Sequence, residues 1–149
     1  MSKTYRAFLS YSHRDDRLAR RIHRELEAWR IDPGLVGRDT PLGPVPKTLR
    51  PIFRDREELA GGGTLSEVIR QALADSEFMI VLCSREAAQS DYVNEEIRLF
   101  KHMGRAARII PLIIAGEPGS TDSECFPAAL RQDFDADGNP VGEPVEPLA

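Results

Sequence analysis

The chain has 149 residues and a mass of 16.6 kDa, which is enough for one well-packed domain and too little for two. Hydrophobic residues make up 41% of it and charged residues 30%, so the disordered and fibrous classes of protein are excluded. With 20 basic and 24 acidic residues, the formal net charge is −4. This balance argues against a nucleic-acid partner, since nucleic-acid binders usually carry a basic excess.

Hydropathy and cysteine usage narrow the class of protein further. No run approaches roughly 18 consecutive apolar residues, so we expect no membrane-spanning helix and no membrane partner. Residues 1–4 lead directly into a strand-like segment, which argues against a secretory signal. Cys83 and Cys125 have neither the spacing of a disulfide framework nor the nearby histidines of a zinc site. We therefore expect a cytoplasmic domain with no metal and no other cofactor.

The first half of the chain predicts two short strands, a helix and a long loop. The first strand is Tyr5–Ser10, and the second ends at Ile52–Phe53. The helix between them ends near Arg30 and has an apolar stripe at helical spacing. That stripe consists of Leu18, Ile22, Leu26 and Trp29. The segment Asp32–Pro51 is rich in proline and glycine, which indicates an irregular loop, and loops of this length are more often functional than idle.

The second half predicts helices that alternate with buried strands. Thr64–Glu67 has the capping-box pattern and begins a helix. The predicted buried face of this helix is Leu65, Val68, Ile69, Ala72 and Leu73. Phe78–Cys83 and Ile109–Ile114 are apolar runs typical of parallel strands covered on both faces, with a proline in the second that is best tolerated near a sheet edge.

Between those strands, Ser84 or Ser90 caps a helix, and Cys125–Leu130 predicts one further helical turn. The buried stripe of the capped helix is Val93, Ile97 and Phe100. Strands alternating with helices predict an α/β fold with a central parallel sheet and helices on both faces.

The ends of the predicted strands indicate where a ligand binds. In open parallel sheets, ligands bind beyond the carboxyl ends of the strands. The segments there are Ser10–Asp16, Phe53–Gly63 and Cys83–Glu96. Tyr92 and Glu96 lie four residues apart, so they point to neighbouring places on one helix face. The tyrosine ring can stack on a flat base, and the carboxylate beside it can stabilise positive charge. This combination suits the cleavage of a glycosidic bond. On spacing alone, a surface glutamate beside a partly buried tyrosine is the commoner arrangement, and that alternative stays open.

Other polar groups admit structural as well as functional interpretations. Asp15 and Asp16 resemble an acidic metal-binding pair, but later strand ends lack the remaining ligands, so helix N-capping is favoured. A cluster of arginines indicates a phosphate clamp or, more often for exposed charges, a solvated face or a protein contact. The cluster comprises Arg14, Arg17, Arg20, Arg21 and Arg24. Gly61–Gly63 lacks the lysine and spacing of a P-loop. His13 is placed to contact an anionic ligand. The residues predicted to be structural are His23, His102 and Cys83.

Four segments in chain order resemble motifs of the bacterial Toll/interleukin-1 receptor (TIR) domain. Ala7–Ser12 is similar to the family's first box. Phe53–Gly62 is similar to the F-x-D-x-x-x-L-x-x-G pattern of the second box and BB loop. Ser76–Ser84 matches the S-x-x-x-I-V-L-x-S strand, and Ser90–Ile97 resembles the S-x-W-C-x-x-E-L motif. The resemblance covers residues 5–114 at family-like spacing.

The resemblance implies a flavodoxin-like TIR fold and, as in many bacterial and plant members, cleavage of NAD+ at the nicotinamide–ribose bond. It places Glu96 at the catalytic position, and it places Tyr92 where a tryptophan is usual, so the stacking ring is smaller. The substrate-binding positions that it implies are Ser12, His13, Phe53, Asp55, Gly62 and Tyr92. NAD+ is then a substrate and not a cofactor. Self-association through TIR–TIR contacts is implied for activity.

One glutamate suffices for this reaction. In NAD+ the nicotinamide ring is already a cationic pyridinium, so it departs as a neutral base and needs no general acid. One carboxylate is then enough to stabilise the oxocarbenium-like transition state. Attack by water gives ADP-ribose, and attack from within the same molecule gives a cyclic isomer. A rival hypothesis is a non-catalytic interaction module that signals through the BB loop and the arginine-rich first helix. A third is ribosyl transfer acting on free nucleosides.

Two departures from the family pattern concern the extent of the domain. Asp32–Arg50 is longer than the family's usual link, and we expect it to cover the cleft or contact a partner. Members normally finish with a fifth strand and a last helix, and Val145–Leu148 is where that strand would begin. We therefore expect residues 1–149 to be a single TIR domain of a signalling or antiphage effector, cut from a longer multidomain protein and lacking the last helix.

Overall fold

A parallel sheet of four strands forms the centre of the protein. The computed structural model describes residues 5–41, 43–54, 66–117, 124–134 and 140–142. The central strands are β1 (Tyr5–Ser10), β4 (Ile52–Arg54), β5 (Ser76–Cys83) and β6 (Ile109–Ile113). Their order across the sheet is β4-β1-β5-β6, and every neighbouring pair is parallel. This is the order of the first four strands in a flavodoxin-like fold, so the predicted fold class is confirmed.

Four helices flank the sheet in the described parts of the chain. They are α1 (Asp16–Ala28), α2 (Glu67–Ala74), α3 (Arg85–Ala88) and α4 (Asp91–His102). Because side chains alternate along a strand, successive residues of β1 and β5 pack against opposite faces of the sheet. Phe8, Met79 and Val81 pack with α2 and α4, whereas Leu9 and Leu82 lie in the cluster on the α1 face. No helix in the described ranges is long and apolar enough to cross a membrane.

The buried stripe of α1 differs from the predicted one. Trp29 is 61% exposed and Leu18 is 39% exposed, so the prediction that they are buried was wrong. The helix ends at Ala28, and Trp29 follows it as the C-cap residue, beyond the last helical turn. Ala19 is buried instead, and half-buried Ile22 and Leu26 complete a stripe on the same face.

The helix α2 starts later than the capping-box pattern predicts. Ser66 is its N-cap, and the Ser66 hydroxyl accepts a hydrogen bond from the backbone N–H of Ile69. Thr64 and Leu65 lie outside the described residues. Val68, in the first turn of the helix, is 61% exposed, contrary to prediction. The other predicted core residues are buried, namely Ile69, Ala72 and Leu73.

Both serines proposed as caps between β5 and β6 are used. The Ser84 hydroxyl accepts from the N–H of Ala87 at 3.0 Å and begins the short α3. The Ser90 hydroxyl accepts from the N–H of Val93 at 3.1 Å and begins α4. The predicted stripe of α4 is completely buried and consists of Val93, Ile97 and Phe100. These caps fix where α4 begins, and therefore where Tyr92 and Glu96 lie.

The edge strand β6 is less buried than its apolar sequence predicts. Ile110, Leu112 and Ile113 are each more than two-fifths exposed, although we expected a strand covered on both faces. Among the described strands β6 pairs only with β5, and on its α1 face Ile110 and Leu112 border an open cavity. Pro111 lies in this edge strand, where the missing N–H costs no ladder hydrogen bond.

Short two-stranded ribbons lie in two segments outside the central sheet. Within Asp32–Pro51, which was predicted to be irregular, β2 (Asp39–Thr40) pairs antiparallel with β3 (Gly43–Pro44). Near the end of the described chain, β7 (Asp133–Phe134) pairs with β8 (Pro140–Val141). A 3-10 turn at Ala128–Arg131 agrees with the predicted helical turn. The fifth strand predicted near Val145 lies outside the described residues.

Candidate functional site

The carboxyl ends of β1 and β5 form the topological switch point of the sheet. The chain leaves β1 toward β4 on one side, and it later leaves β5 toward β6 on the other. The loops that follow these two adjacent strands therefore diverge and leave a crevice, which is where ligands bind in folds of this class. A 3-10 turn, His13–Asp15, follows β1, and α3 follows β5. These two loops and the start of α4 build the site.

Glu96 is completely buried at this end of the sheet. The Ser10 hydroxyl donates a hydrogen bond to Glu96 Oε1 at 2.7 Å, and Ser10 is also completely buried. Ser10 faces α4 because it lies two residues beyond Phe8 on the same strand face. An ordinary surface glutamate at this position, the alternative left open by the sequence, is therefore wrong. A buried carboxyl group costs free energy unless polar partners hold it, and Ser10 is one such partner.

Tyr92 and His13 come together next to this glutamate. Tyr92 lies one helical turn before Glu96 and is 8% exposed. Its ring meets the His13 ring edge to face, with 6.3 Å between centroids and 66° between planes. The His13 ring lies at the same centroid distance from Tyr11. The sequence predicted both residues as site residues, and the structure brings them into one aromatic group.

The polar residues after β1 hold the loop in place. The Ser12 hydroxyl accepts a hydrogen bond from the backbone N–H of Arg14 at 3.3 Å and starts the 3-10 turn. Asp15 is the N-cap residue of α1, as predicted, but its side chain makes no capping hydrogen bond to that helix. The Asp15 carboxylate instead accepts a hydrogen bond from the Ser84 hydroxyl at 2.6 Å. This contact fastens the loop after β1 to the loop after β5.

Asp16 belongs to a second structural network beside the site. Its carboxylate accepts hydrogen bonds from the Tyr11 hydroxyl at 3.2 Å and from Arg54 at 3.3 Å, and it pairs with Arg20. Burial raises the pKa of Tyr11, so its hydroxyl remains protonated and able to donate. The described part of the chain holds no group of three or more histidine, cysteine, aspartate or glutamate side chains suited to a metal ion.

The remaining predicted substrate-binding residues come from β4 and the segment after it. Phe53 stacks on Phe8 at a centroid distance of 5.2 Å and meets Tyr5 edge to face at the same distance. None of its described ring contacts involves Tyr92 or His13. Its observed role is therefore to pack the α4 face. The other two predicted residues, Asp55 and Gly62, lie outside the described residues.

A polar cavity of about 510 Å³ opens at the switch point. It is lined by Ser12, Arg14, Arg85, Glu86, Gln89 and Ser90. Its size is within the usual range for small-molecule sites. Sequence reasoning missed Ser10 and Arg85 as site residues. Ser10 ends the first strand, and that position was the only signal for it. No sequence motif around Arg85 indicates its role, because its position at the cavity depends on how α3 packs against the loop after β1.

Two residues predicted to be structural are structural. His23 donates a hydrogen bond from Nε2 to the carbonyl oxygen of Ile52 at 2.7 Å, which ties α1 to β4. Cys83 is completely buried, and burial raises the pKa of its thiol to about 12. The thiol is therefore protonated and unreactive at neutral pH, as expected of a small core residue.

The chain is similar to known proteins in three comparisons. The TIR domains in a solved structure of the activated Roq1 resistosome, which directly recognises the pathogen effector XopQ, have a TM-score of 0.47 and 20% sequence identity to it. That alignment covers 75% of this chain and 57% of the other. A protein from Actinoplanes sp. named NAD(+) hydrolase ApTIR is 34% identical over 151 aligned residues, or 87% of this chain. The chain spans 18% of the length of that relative. A family model described as TIR domain matches residues 7–143, and the chain therefore belongs to the TIR domain family.

Proposed function

We propose that this domain hydrolyses NAD+ at the nicotinamide–ribose bond and that Glu96 is the catalytic carboxylate. The observation that carries the proposal is the completely buried Ser10–Glu96 contact of 2.7 Å at the switch point of the sheet. The name of the Actinoplanes relative, together with 34% identity over 87% of this chain, supports the same reaction. NAD+ enters as a substrate, and the proposed chemistry calls for no cofactor.

The reaction requires one well-held negative charge. As the bond between ribose C1′ and the pyridinium nitrogen breaks, its electron pair moves to the nitrogen, and nicotinamide leaves as a neutral base. The ribose becomes oxocarbenium-like, and the Glu96 carboxylate stabilises that positive charge. Water then bonds to C1′ and releases a proton, which gives ADP-ribose. Attack by a group of the same molecule gives a cyclic isomer.

The neighbouring side chains take supporting roles in this proposal. The Tyr92 ring stacks on the nicotinamide, and His13 contacts the anionic part of the substrate. Ser12 lines the polar cavity. We assign Asp55 and Gly62 to the opposite wall on the resemblance alone. Phe53 precedes these residues in the chain and is held by its contact with Phe8.

Access to Glu96 has to be regulated. Glu96 is fully buried and Tyr92 is nearly so, which leaves the carboxylate shielded from a substrate. Displacement of the contacting Tyr92 and His13 rings would expose it. We propose that self-association through TIR–TIR contacts favours this open arrangement. The isolated domain is then a resting state, and clustering activates it.

The test is nicotinamide release from NAD+ by protein clustered on a resin, with products separated by chromatography. Glu96→Gln should reduce release by about 1,000-fold, because it removes the charge that stabilises the transition state. Glu95→Gln is the matched control, since Glu95 is adjacent on α4 and pairs with Arg98 instead. Unchanged release in Glu96→Gln would refute the assigned residue.

A non-catalytic interaction module is the second candidate. The exposed apolar side chains of β6 favour it, because a protein contact would bury them. They are Ile110, Leu112 and Ile113. Absence of nicotinamide release from the clustered protein, with self-association weakened by charged substitutions on β6, would select this candidate over the hydrolase.

A further inference from the structure

Two arginines from different loops line the polar cavity. Arg14 lies in the 3-10 turn after β1, and Arg85 is the first residue of α3 after β5. Asp15 follows Arg14 in the chain, and Ser84 precedes Arg85. The Ser84 hydroxyl donates a hydrogen bond to the Asp15 carboxylate at 2.6 Å. This contact holds the two arginine-bearing loops together at one opening.

Neither of these arginines forms an ion pair with a carboxylate within the described structure. Other arginines pair with a carboxylate, such as Arg6 with Glu77 at 2.8 Å and Arg131 with Glu124 at 3.0 Å. Across the described ranges, no ion pair joins Arg14 or Arg85 to a carboxylate, although Glu86 lines the same cavity. The cavity therefore carries two positive side chains against one negative side chain.

The rest of the lining suits an anion that also carries hydroxyl groups. The lining also includes Ser12, Ser90 and Gln89, whose side chains carry hydroxyl and amide groups. A guanidinium group forms two parallel hydrogen bonds to a phosphate, and such charge-assisted pairs are stronger than neutral ones. Two guanidinium groups on two loops match a ligand with two linked phosphates better than a ligand with a single phosphate. A volume of about 510 Å³ accommodates a diphosphate with part of an attached sugar.

We propose that Arg14 and Arg85 form a binding site for the diphosphate group of the substrate. The proposal rests on the proposed function, since NAD+ contains such a group. Ser12 connects the two regions, because it lines the cavity and directly precedes His13, whose ring contacts Tyr92. The site selects a dinucleotide over a nucleoside such as nicotinamide riboside, which has the same scissile bond and no phosphate.

The first experiment compares two substrates. Clustered wild-type protein, Arg14→Gln, Arg85→Gln and the double variant are assayed with NAD+ and with nicotinamide riboside. The ratio of kcat/KM for NAD+ to that for the riboside should fall about tenfold in each single variant and about 100-fold in the double. Arg24→Gln, an exposed arginine within α1, is the charge-matched control and should leave the ratio unchanged. An unchanged ratio in the double variant would overturn the proposal.

The second experiment measures binding without catalysis. ADP-ribose is titrated into the full chain, and its affinity should fall about 100-fold in the double variant and not in Arg24→Gln. Inorganic pyrophosphate should compete, which attributes the affinity to the phosphates and not to the adenosine. If wild-type protein releases no nicotinamide but binds ADP-ribose through these arginines, the hydrolase assignment fails and the diphosphate site stands. Absence of ADP-ribose binding, or equal affinity in the double variant, rejects the site.

Discussion

The two faces of the central sheet are packed very differently. On the face covered by α2 and α4, core side chains such as Phe8, Met79 and Ile97 are completely buried, and Glu96 lies among them. On the α1 face, the buried cluster is smaller, and a cavity of about 760 Å³ opens between α1, the β2–β3 ribbon and the sheet. The face that holds the catalytic candidate is sealed, and the opposite face is open.

The difference between the two faces shows that the volume of a cavity is a poor guide to the substrate-binding site. The larger cavity is lined mostly by apolar side chains, and its charged residues Arg6 and Glu77 pair with each other at 2.8 Å. The smaller cavity has a polar lining and two arginines without a described ion pair. Orientation and specificity come from convergent polar groups, so the smaller cavity is the better candidate for a charged substrate.

The largest expected effect tests the sealing of the α4 face. Ile97→Ala should lower the free energy of unfolding by about 3–4 kcal/mol, because it leaves a void among completely buried side chains. Ile80→Ala, the same change beside the open cavity, should cost about 1–2 kcal/mol, since the lost contacts already border open space.

Urea unfolding of the two variants, with wild type as reference, measures both losses. Equal losses would contradict the contrast between a sealed and an open face. The slope of the free energy against urea concentration should not change in either variant, which separates lost packing from a change in the unfolded state.

Which face becomes sealed was only partly visible in the sequence. The stripe Val93, Ile97 and Phe100 predicted the buried side of α4 correctly, because several large apolar residues at helical spacing leave one orientation. Trp29 and Ile110 are equally apolar and remain exposed. Their burial depends on whether a partner element covers them, and local periodicity carries no information about that.

The second prediction concerns how the sealed face holds Glu96. Ser10→Ala removes the hydroxyl that donates to Glu96 Oε1. We expect kcat for nicotinamide release to fall about 10- to 100-fold with little change in KM, because the carboxylate loses its fixed orientation. The free energy of unfolding should fall by about 1–3 kcal/mol.

Ser10→Thr retains a hydroxyl on a residue that strands accept well, and it should restore much of kcat. A Ser10→Ala variant with unchanged kcat and unchanged stability would show that the contact does not position the glutamate. Steady-state kinetics of nicotinamide release and thermal unfolding together separate positioning from a general loss of structure.

The site illustrates the same limit of sequence reasoning. The spacing of Tyr92 and Glu96 placed both on one face of α4, and the structure has them there. The partners of Glu96 and Asp15 are serines at the ends of β1 and β5, which are 86 and 69 residues away in the chain. Strand order alone brings them together, so a motif within one segment could not reveal them.

The smallest effect tests the open face. Ile110→Glu should change the free energy of unfolding by about 0.5 kcal/mol or less, because the side chain is nearly half exposed at the edge of the large cavity. Ile109 is its matched neighbour, since it packs against the cluster on the α4 face. Ile109→Glu should be clearly more destabilising, because it places a charge against that cluster. Thermal unfolding of both variants compares adjacent positions on opposite faces of one strand. Equal destabilisation would mean that the two faces of β6 are packed alike.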